Sequence, residues 1–212
     1  MKEQISEHTE YKQSELDESI AGNNPFSLFE SWLKLAYDSK VSEPNAMCLS
    51  TIGADNRPSS RIVLLRDYTY KGFIFYTNYK SRKGKSLKYN SYACLNFFWA
   101  QLEKQIRIEG KVQKLDTAIS DLYFQSRPLE SRIATIASAQ SKQIKSREFL
   151  MEQFEKVKAE FEDNNIPRPD YWGGYLLIPD KIEFWQGKEH RLHDRLLFTK
   201  RTNKWKVSRL AP

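Results

Sequence analysis

Apolar positions recur along this chain with two different periods, and the switch between them divides the sequence. After Asn24-Pro25, the residues Phe26, Phe29, Trp32, Leu33, Ala36 and Tyr37 fall three and four apart, the spacing of one helix face. Asn24 suits the cap of that helix and Pro25 its first turn, where a missing N–H costs nothing. Ser42-Glu43-Pro44-Asn45 ends it. From Ala46 the pattern changes to short apolar runs at 46–52, 60–65, 72–77, 93–100 and 105–115, with breaks at 54–57 and 67–71. Connections this short predict antiparallel neighbours rather than parallel strands with helical crossovers.

Helical spacing then returns. Asp116 can cap a helix reaching Gln125, a short helix follows Pro128, and Leu150, Phe154, Val157 and Phe161 repeat at 4, 3 and 4 within 146–161. Strand signals resume at 174–178, 182–185, 195–199 and 204–210, with Pro179-Asp180 and Thr202-Asn203 as expected turns. The predicted class is therefore mostly β with peripheral helices (α+β), an antiparallel Greek-key-like barrel closed so that no edge is left free. The expected organisation is a flexible N-terminal arm over 1–24, with one short helix, and a single domain over 25–212.

Composition narrows the class. With 212 residues, 40% hydrophobic and 13% aromatic, the chain has enough apolar matter to fill a core, which excludes a disordered or fibrous protein. No apolar run approaches the roughly 18–20 residues of a membrane span, and Met1 to Ser19 is too polar for a secretory leader. Cys48 and Cys94 lie inside apolar runs and read as reduced, buried thiols, so a cytoplasmic location is expected. The formal charge of +7 is unevenly placed: residues 1–24 hold 2 Lys against 6 acids, and residues 188–212 hold 8 Lys and Arg against 2 acids. Such a basic C-terminal segment favours an anionic partner, whether nucleic acid or a phosphorylated small molecule.

Common sites fail on their residues. Three histidines, His8, His190 and His193, and no Cys-x-x-Cys or His-Glu-x-x-His make a metal centre unexpected, and no phosphate-loop, dinucleotide or nucleophile-elbow glycine motif is present. Arginine among apolar residues remains. Arg61-Ile62-Val63-Leu64-Leu65-Arg66 places a guanidinium at each end of an apolar strand; five positions apart, the two should diverge to opposite faces unless the strand bulges. They suit an anion, or else reach solvent along their stems. Tyr76-Thr77-Asn78-Tyr79-Lys80-Ser81-Arg82-Lys83 reads as a strand end running into a helix start, where hydroxyls, orphan N–H groups and cations can converge on an oxyanion. A plain solvated basic helix start is the other reading.

Tyr123, Arg127 and Ser131 match one helix face if the helix survives Pro128, and Gln140-Ser141 follow an Ala-rich stretch. The sharpest segment is Trp185-Gln186-Gly187-Lys188-Glu189-His190-Arg191-Leu192-His193-Asp194-Arg195. In an extended strand Arg191, His193 and Arg195 share a face and Asp194 points away; three cation-capable groups need an anion, an electron-rich ring or acids from elsewhere. Trp185 by itself suits a core as well as a cofactor plate, and His193 suits an acid or base whose neighbours hold its proton affinity down.

These blocks, with Leu102-Glu103-Lys104-Gln105, Ser126-Arg127-Pro128, Trp172-Gly173-Gly174 and the final Arg209-Leu210-Ala211-Pro212, resemble the pyridoxine/pyridoxamine 5'-phosphate oxidase family from about Pro25 onward. The resemblance implies an FMN-binding split barrel acting as a homodimer, with flavin in a cleft made by both subunits. It implies FMN contacts from Arg61, Ile62, Val63, Leu64, Leu65 and Arg66, from Tyr76 and Thr77, from Arg82 and Lys83 near the phosphate, and from Gln105, Gln140, Ser141, Trp185 and Arg195. It implies a substrate-phosphate grip by Tyr123, Arg127 and Ser131, with Arg66 assisting, Tyr11 reaching over the substrate, and Arg191, Leu192 and His193 about the pyridine ring, Arg191 and His193 being the catalytic pair.

The implied reaction oxidises the 4' carbon of pyridoxamine or pyridoxine 5'-phosphate, passing a hydride to flavin and then electrons to oxygen, with hydrogen peroxide formed and ammonia lost from the amine. Two positions depart from the family pattern. Arg66 stands where a phosphate-binding Lys is common, and His8-Thr9-Glu10-Tyr11 keeps the arm's Tyr without its usual arginines. Two other readings remain at this stage: a split-barrel flavin or haem binder without this oxidase activity, and a basic nucleic-acid-binding module.

Overall fold

The computed structural model describes residues 15–161, 165–202 and 204–212. Its helices are α1 (Glu18–Ala21), α2 (Pro25–Asp38), α3 (Arg82–Tyr89), α4 (Thr117–Gln125), α5 (Leu129–Ala137) and α6 (Arg147–Glu160). Its strands are β1 (Ala46–Ile52), β2 (Pro58–Leu64), β3 (Asp67–Thr69), β4 (Gly72–Asn78), β5 (Tyr92–Trp99), β6 (Lys104–Lys114), β7 (Trp172–Gln186), β8 (Asp194–Arg201) and β9 (Lys204–Arg209). They form one 9-stranded sheet in the order β2-β1-β5-β6-β7-β4-β3, with β8 on β7 and β9 on β8. This is the mostly-β architecture with peripheral helices that the periodicity predicts.

Helix starts follow from local chemistry. Asn24 accepts from the Phe26 N–H, Asp116 from Ala118, Ser146 from Phe149 and Ser81 from Gly84, each satisfying an orphan donor of a first turn. Gly84 is required at the last of these, because a Cβ there would lie 2.3 Å from the Tyr79 carbonyl oxygen. In β1 and β6 buried and half-exposed residues alternate, the mark of a sheet covered on one face. The first half of β7 and most of β4 are buried on both faces.

Contacts group the chain into two compact units. One holds residues up to 49, 94–110 and 179–212. Its core is aromatic: Phe29 meets Phe97 edge-on at 5.5 Å, and Phe184 meets Trp32 at 5.2 Å and Phe198 at 5.7 Å. Phe29, Phe97, Phe184 and Phe198 are all fully buried, each contributing roughly 1.5–3 kcal/mol from removal of apolar surface from water. Leu16 is buried in the same unit, its N–H on Asp194 and its carbonyl on Arg209. The other unit holds 50–93 and 111–178, where Phe124, Ile133, Val157, Ile166 and Trp172 form a core beneath the helices.

Three local expectations are corrected. Pro179-Asp180 is no turn: β7 runs unbroken from Trp172 to Gln186. Its ladder with β4 ends at Leu177 and that with β8 begins at Lys181, so the proline's missing N–H falls in the gap between them. The break expected at 67–71 contains strand β3, which makes a tight hairpin with β4. Cys48 and Cys94 are free thiols, as read, but half-exposed rather than buried.

Candidate active site

The second unit contains a cavity of about 520 Å³, within the roughly 300–1,000 Å³ of small-molecule sites. Its wall is the strand segment Arg61–Leu64 with Arg66 beyond it, then Tyr76, Thr77 and Asn78 at the end of β4, Lys83 on the first turn of α3, and Tyr123, Arg127, Ser131, Thr135 and Gln140 from the helical segment. Arg61 and Arg66, expected to diverge unless the strand bulges, both line this cavity, because β2 ends at Leu64 and Arg66 lies beyond the regular strand. Leu65, between them, turns into the core instead.

Side chains here are held before any ligand arrives. Arg61 donates to Thr51 Oγ1 at 2.8 Å and to Ser59 Oγ at 2.6 Å. Lys83 Nζ donates to Gln140 Oε1 at 3.1 Å, and Thr77 Oγ1 to the same oxygen at 3.4 Å. Arg127 donates to Thr135 Oγ1 at 2.7 Å, while that hydroxyl donates to the Ser131 carbonyl at 2.9 Å. Helix α4 ends before Pro128 and α5 begins after it, so the face joining Tyr123, Arg127 and Ser131 spans two helices. The rings of Tyr76 and Tyr123 stack at 3.7 Å, and Trp172 lies parallel to both. Gly174 opposite Tyr76 leaves room for this stack, since a Cβ would meet the Tyr76 ring at 2.9 Å.

Arg61, Arg66, Lys83 and Arg127 line the cavity, and none of the described residues that line it is acidic. Burial, then the Arg61 charge, pulls the Lys83 ammonium down to about 8. Burial also lowers Arg127, with Arg66 adding to the effect and Tyr123 opposing it. Burial foremost, then Tyr123, raises the Tyr76 phenol to about 12, so its hydroxyl keeps its proton. Cations packed without carboxylates are completed by an anion, and flat parallel rings by another flat ring. FMN brings both, and the donor set fits it.

The remaining predicted residues lie elsewhere. Arg82 and Ser141 are exposed and do not line the cavity. Gln105, Trp185, Arg191, Leu192, His193 and Arg195 belong to the first unit. There Arg195 Nε donates to Glu183 Oε1 at 2.9 Å and its Nη1 to the Ala211 carbonyl at 2.8 Å, while Arg107 pairs with the other Glu183 oxygen. Arg191 and His193 do not continue a strand face with Arg195: residues 189–191 form a turn, with His190 and Arg191 at φ of 55° and 61°, and β8 starts only at Asp194. His193 lies 4.7 Å from the Trp185 ring. Its Nδ1 accepts the Lys188 N–H at 3.1 Å, which leaves the neutral ring's proton on Nε2. Burial first, then Arg191, lowers its proton affinity. Tyr11 lies outside the described residues.

Sequence reasoning gave Thr135 and Trp172 no role. Thr135 was findable, four residues past Ser131 and eight past Arg127 on the same helical periodicity. The ring stack of Trp172 was not, because its partners are remote in sequence.

Fold and cavity together define an FMN-binding split-barrel protein. Residues 33–161 match the pyridoxamine 5'-phosphate oxidase family, and residues 172–212 match the pyridoxine 5'-phosphate oxidase C-terminal dimerisation region. A pyridoxine/pyridoxamine 5'-phosphate oxidase from Burkholderia cenocepacia (strain HI2424) is 51% identical over 205 residues, covering 95% of each chain. One from Cyanothece sp. (strain PCC 7425) is 46% identical over 203 residues, 96% of this chain and 95% of that one. The crystal structure of PhzG from Burkholderia lata 383, in complex with tetrahydrophenazine-1-carboxylic acid, superposes with a TM-score of 0.85 at 32% identity over 90% of this chain and 94% of that one. The chain belongs to the pyridoxine/pyridoxamine 5'-phosphate oxidase family.

Proposed function

We propose that the cavity binds FMN and substrate side by side, and that its four lining cations with no acid among the described lining residues are the observation that carries this reading. The chain is an FMN-dependent oxidase converting pyridoxamine and pyridoxine 5'-phosphate to pyridoxal 5'-phosphate with molecular oxygen. When bound, FMN supplies the two-electron acceptor and the route by which those electrons reach oxygen as hydrogen peroxide. Arg61, with the Ile62, Val63 and Leu64 backbone, lies along the cofactor, together with Tyr76, Thr77 and Gln140. Lys83, reinforced by Arg82, meets its phosphate. Arg66, Arg127 and Ser131 grip the substrate phosphate beside Tyr123. Arg61, Thr77, Lys83 and Arg127 are already hydrogen-bonded within the protein, so less of their ordering cost is left to binding.

Gln105, Trp185, Arg191, Leu192, His193 and Arg195 complete the site from the second subunit of a homodimer. In support, this set lies in one compact unit and the cavity in the other, and the 172–212 match is to a dimerisation region. Arg191 and His193 face the pyridine ring, where His193 donates through Nε2–H; with Nδ1 occupied by the Lys188 N–H, it orients rather than deprotonates. Among the described residues no helix is long and apolar enough to cross a membrane, and we place the enzyme in the cytoplasm.

The test is anaerobic mixing of the yellow FMN-loaded protein with pyridoxamine 5'-phosphate. Bleaching, followed on admitting air by recovery of colour with hydrogen peroxide and pyridoxal 5'-phosphate formed in equal amounts, is the expected result. A flavin that stays oxidised under saturating substrate would leave a binder without the oxidase activity.

A further inference from the structure

Gln186 and Lys104 are buried polar side chains that none of the roles above uses. Gln186 is fully buried at the last pair of the β7–β8 ladder, opposite Asp194. That pair closes the loop 187–193, which carries Arg191 and His193. Gln186 Nε2 donates to the carbonyls of Glu103 at 3.2 Å, Leu102 at 3.4 Å and Gly187 at 3.5 Å, and the Gly187 N–H donates to Glu103 at 2.8 Å. Lys104, 3% exposed, donates to Gln186 Oε1 from beneath, with its ammonium 4.1 Å from the Trp32 ring centre. At the loop's other end, Asp194 accepts from Arg209 at 2.7 Å and from the Leu16 N–H at 3.3 Å.

An amide with carbonyls on one side and an ammonium on the other has one orientation only. The carbonyls need its NH₂ and the ammonium needs its oxygen. A buried ammonium is costly, because burial strips its hydration and an apolar side chain of equal length is often as stable or more so. Burial accordingly holds Lys104 down to about 8. Where a methionine would leave the Gln186 oxygen without this bond, the ammonium donates to it, and Gln186 in turn ties Leu102, Glu103 and Gly187 at the loop base.

We propose that Lys104 and Gln186 act as one positioning unit that sets the loop bearing Arg191 and His193 for the oxidation step. This rests on the reading of Arg191 and His193 as reaction-centre residues. A loop that shifts by about 1 Å can cost around a hundredfold in rate while leaving binding nearly intact.

The variants are Lys104→Met, Gln186→Leu and the double substitution, all FMN-loaded. Flavin reduction at saturating pyridoxamine 5'-phosphate should slow by at least about tenfold in each single variant, with KM and FMN affinity within about threefold of the parent. The double variant should be no slower than the worse single, as expected of one unit. Hydrogen exchange over 187–193 should accelerate, and Lys104→Met should melt at or above the parent temperature. Should Gln186→Leu fail to fold, Lys104→Met alone decides. Parent-like reduction and exchange in Lys104→Met would overturn the inference, as would a slowing matched by equal loss of stability and FMN affinity. Arg191→Ala and His193→Ala run in parallel separate the two levels. If both reduce at the parent rate, the reading of the reaction centre fails; if both are slow while Lys104→Met is not, this inference alone fails.

Discussion

The Arg127 guanidinium lies 4.6 Å from the centre of the Trp172 ring, which is itself parallel to the Tyr123 ring within 3°. The half-buried cation thus faces an aromatic surface on one side and the cavity on the other, and its charge is stabilised without a carboxylate that would compete with phosphate. Trp172→Phe should raise KM for the 5'-phosphate substrate by about threefold and Trp172→Leu by about tenfold, since such a contact is worth roughly 0.5–2 kcal/mol. FMN affinity should hold in both. An unchanged KM in Trp172→Leu would mean that Thr135 and the Phe124 ring position Arg127 without it.

Lys83 gives the pH prediction. Its ammonium titrates at about 8 before an anion binds, and the charged form is the one that meets phosphate. FMN affinity should therefore fall as pH rises from 7 to 9.5, and Lys83→Met should bind more weakly at pH 7 with a flatter profile. Stability of the FMN-free protein runs the other way. Between about 8 and the ordinary lysine range near 10.4 the unfolded chain holds a proton that the folded chain has released, so stability rises with pH there and the Lys83 contribution vanishes in Lys83→Met. Fluorescence titration of FMN and thermal melts across this range check both halves; parallel affinity profiles in parent and variant would remove Lys83 from the phosphate.

Much of this molecule is legible in its sequence, and the places where it is not share a cause. Helix α2 with its Asn24 cap, α4 with its Asp116 cap and strand β1 were read almost to the residue, because each is signalled by neighbours in sequence. Pro179 was misread because whether a proline breaks a strand depends on which partner strand lies opposite it. The convergence of Arg61 and Arg66 needed the end of β2 at Leu64, and the place of Gln186 needed Leu102 and Glu103, more than eighty residues away. Pairing partners distant in the chain leave no periodic trace.

Arg66, which also lines the cavity, offers a test that distinguishes cofactor from substrate binding. If it grips the substrate phosphate, Arg66→Ala should raise KM by at least about tenfold, as befits a charge-assisted bond worth roughly 1.5–3 kcal/mol, and FMN retention should barely change. Arg66→Lys should stay within about threefold of the parent, trading a fork for a point charge. Loss of FMN with unaltered KM in the remaining holoenzyme would place Arg66 on the cofactor instead.

A site built from two subunits requires a dimer at working concentration. Sedimentation of the FMN-loaded protein at micromolar concentration should give twice the 25.0 kDa chain mass. Mixed dimers of Arg127→Ala and Arg191→Ala chains should recover part of the activity that each homodimer lacks, because one of the two sites then holds both intact residues. A single 25.0 kDa species with full turnover would refute the shared site.

Arg191 and His193 decide where the chemistry is. Arg191 sits at a positive φ of 61° in an exposed turn, a backbone state that a side chain larger than glycine adopts at some cost. His193 is fixed from behind by the Lys188 N–H and flanked by Trp185, so its Nε2–H has a set direction. Arg191→Ala and His193→Ala should purify yellow with parent-like FMN occupancy and reduce slowly under anaerobic pyridoxamine 5'-phosphate. The arginine change should cost more, because it removes a permanent cation from beside the substrate ring. In the proposed role His193 is the neutral donor, and its proton affinity is already held below the ordinary range by burial and by Arg191. Acidification protonates Nδ1 and breaks the bond to Lys188, so the parent's reduction rate should fall on the acid side and His193→Ala should lose that limb. Arg191→Ala removes the neighbouring charge and should move the limb to higher pH. Stopped-flow bleaching at saturating substrate between pH 5 and 9 reads all three effects; parent-like rates and an unmoved acid limb in both variants would take the pair out of the reaction centre.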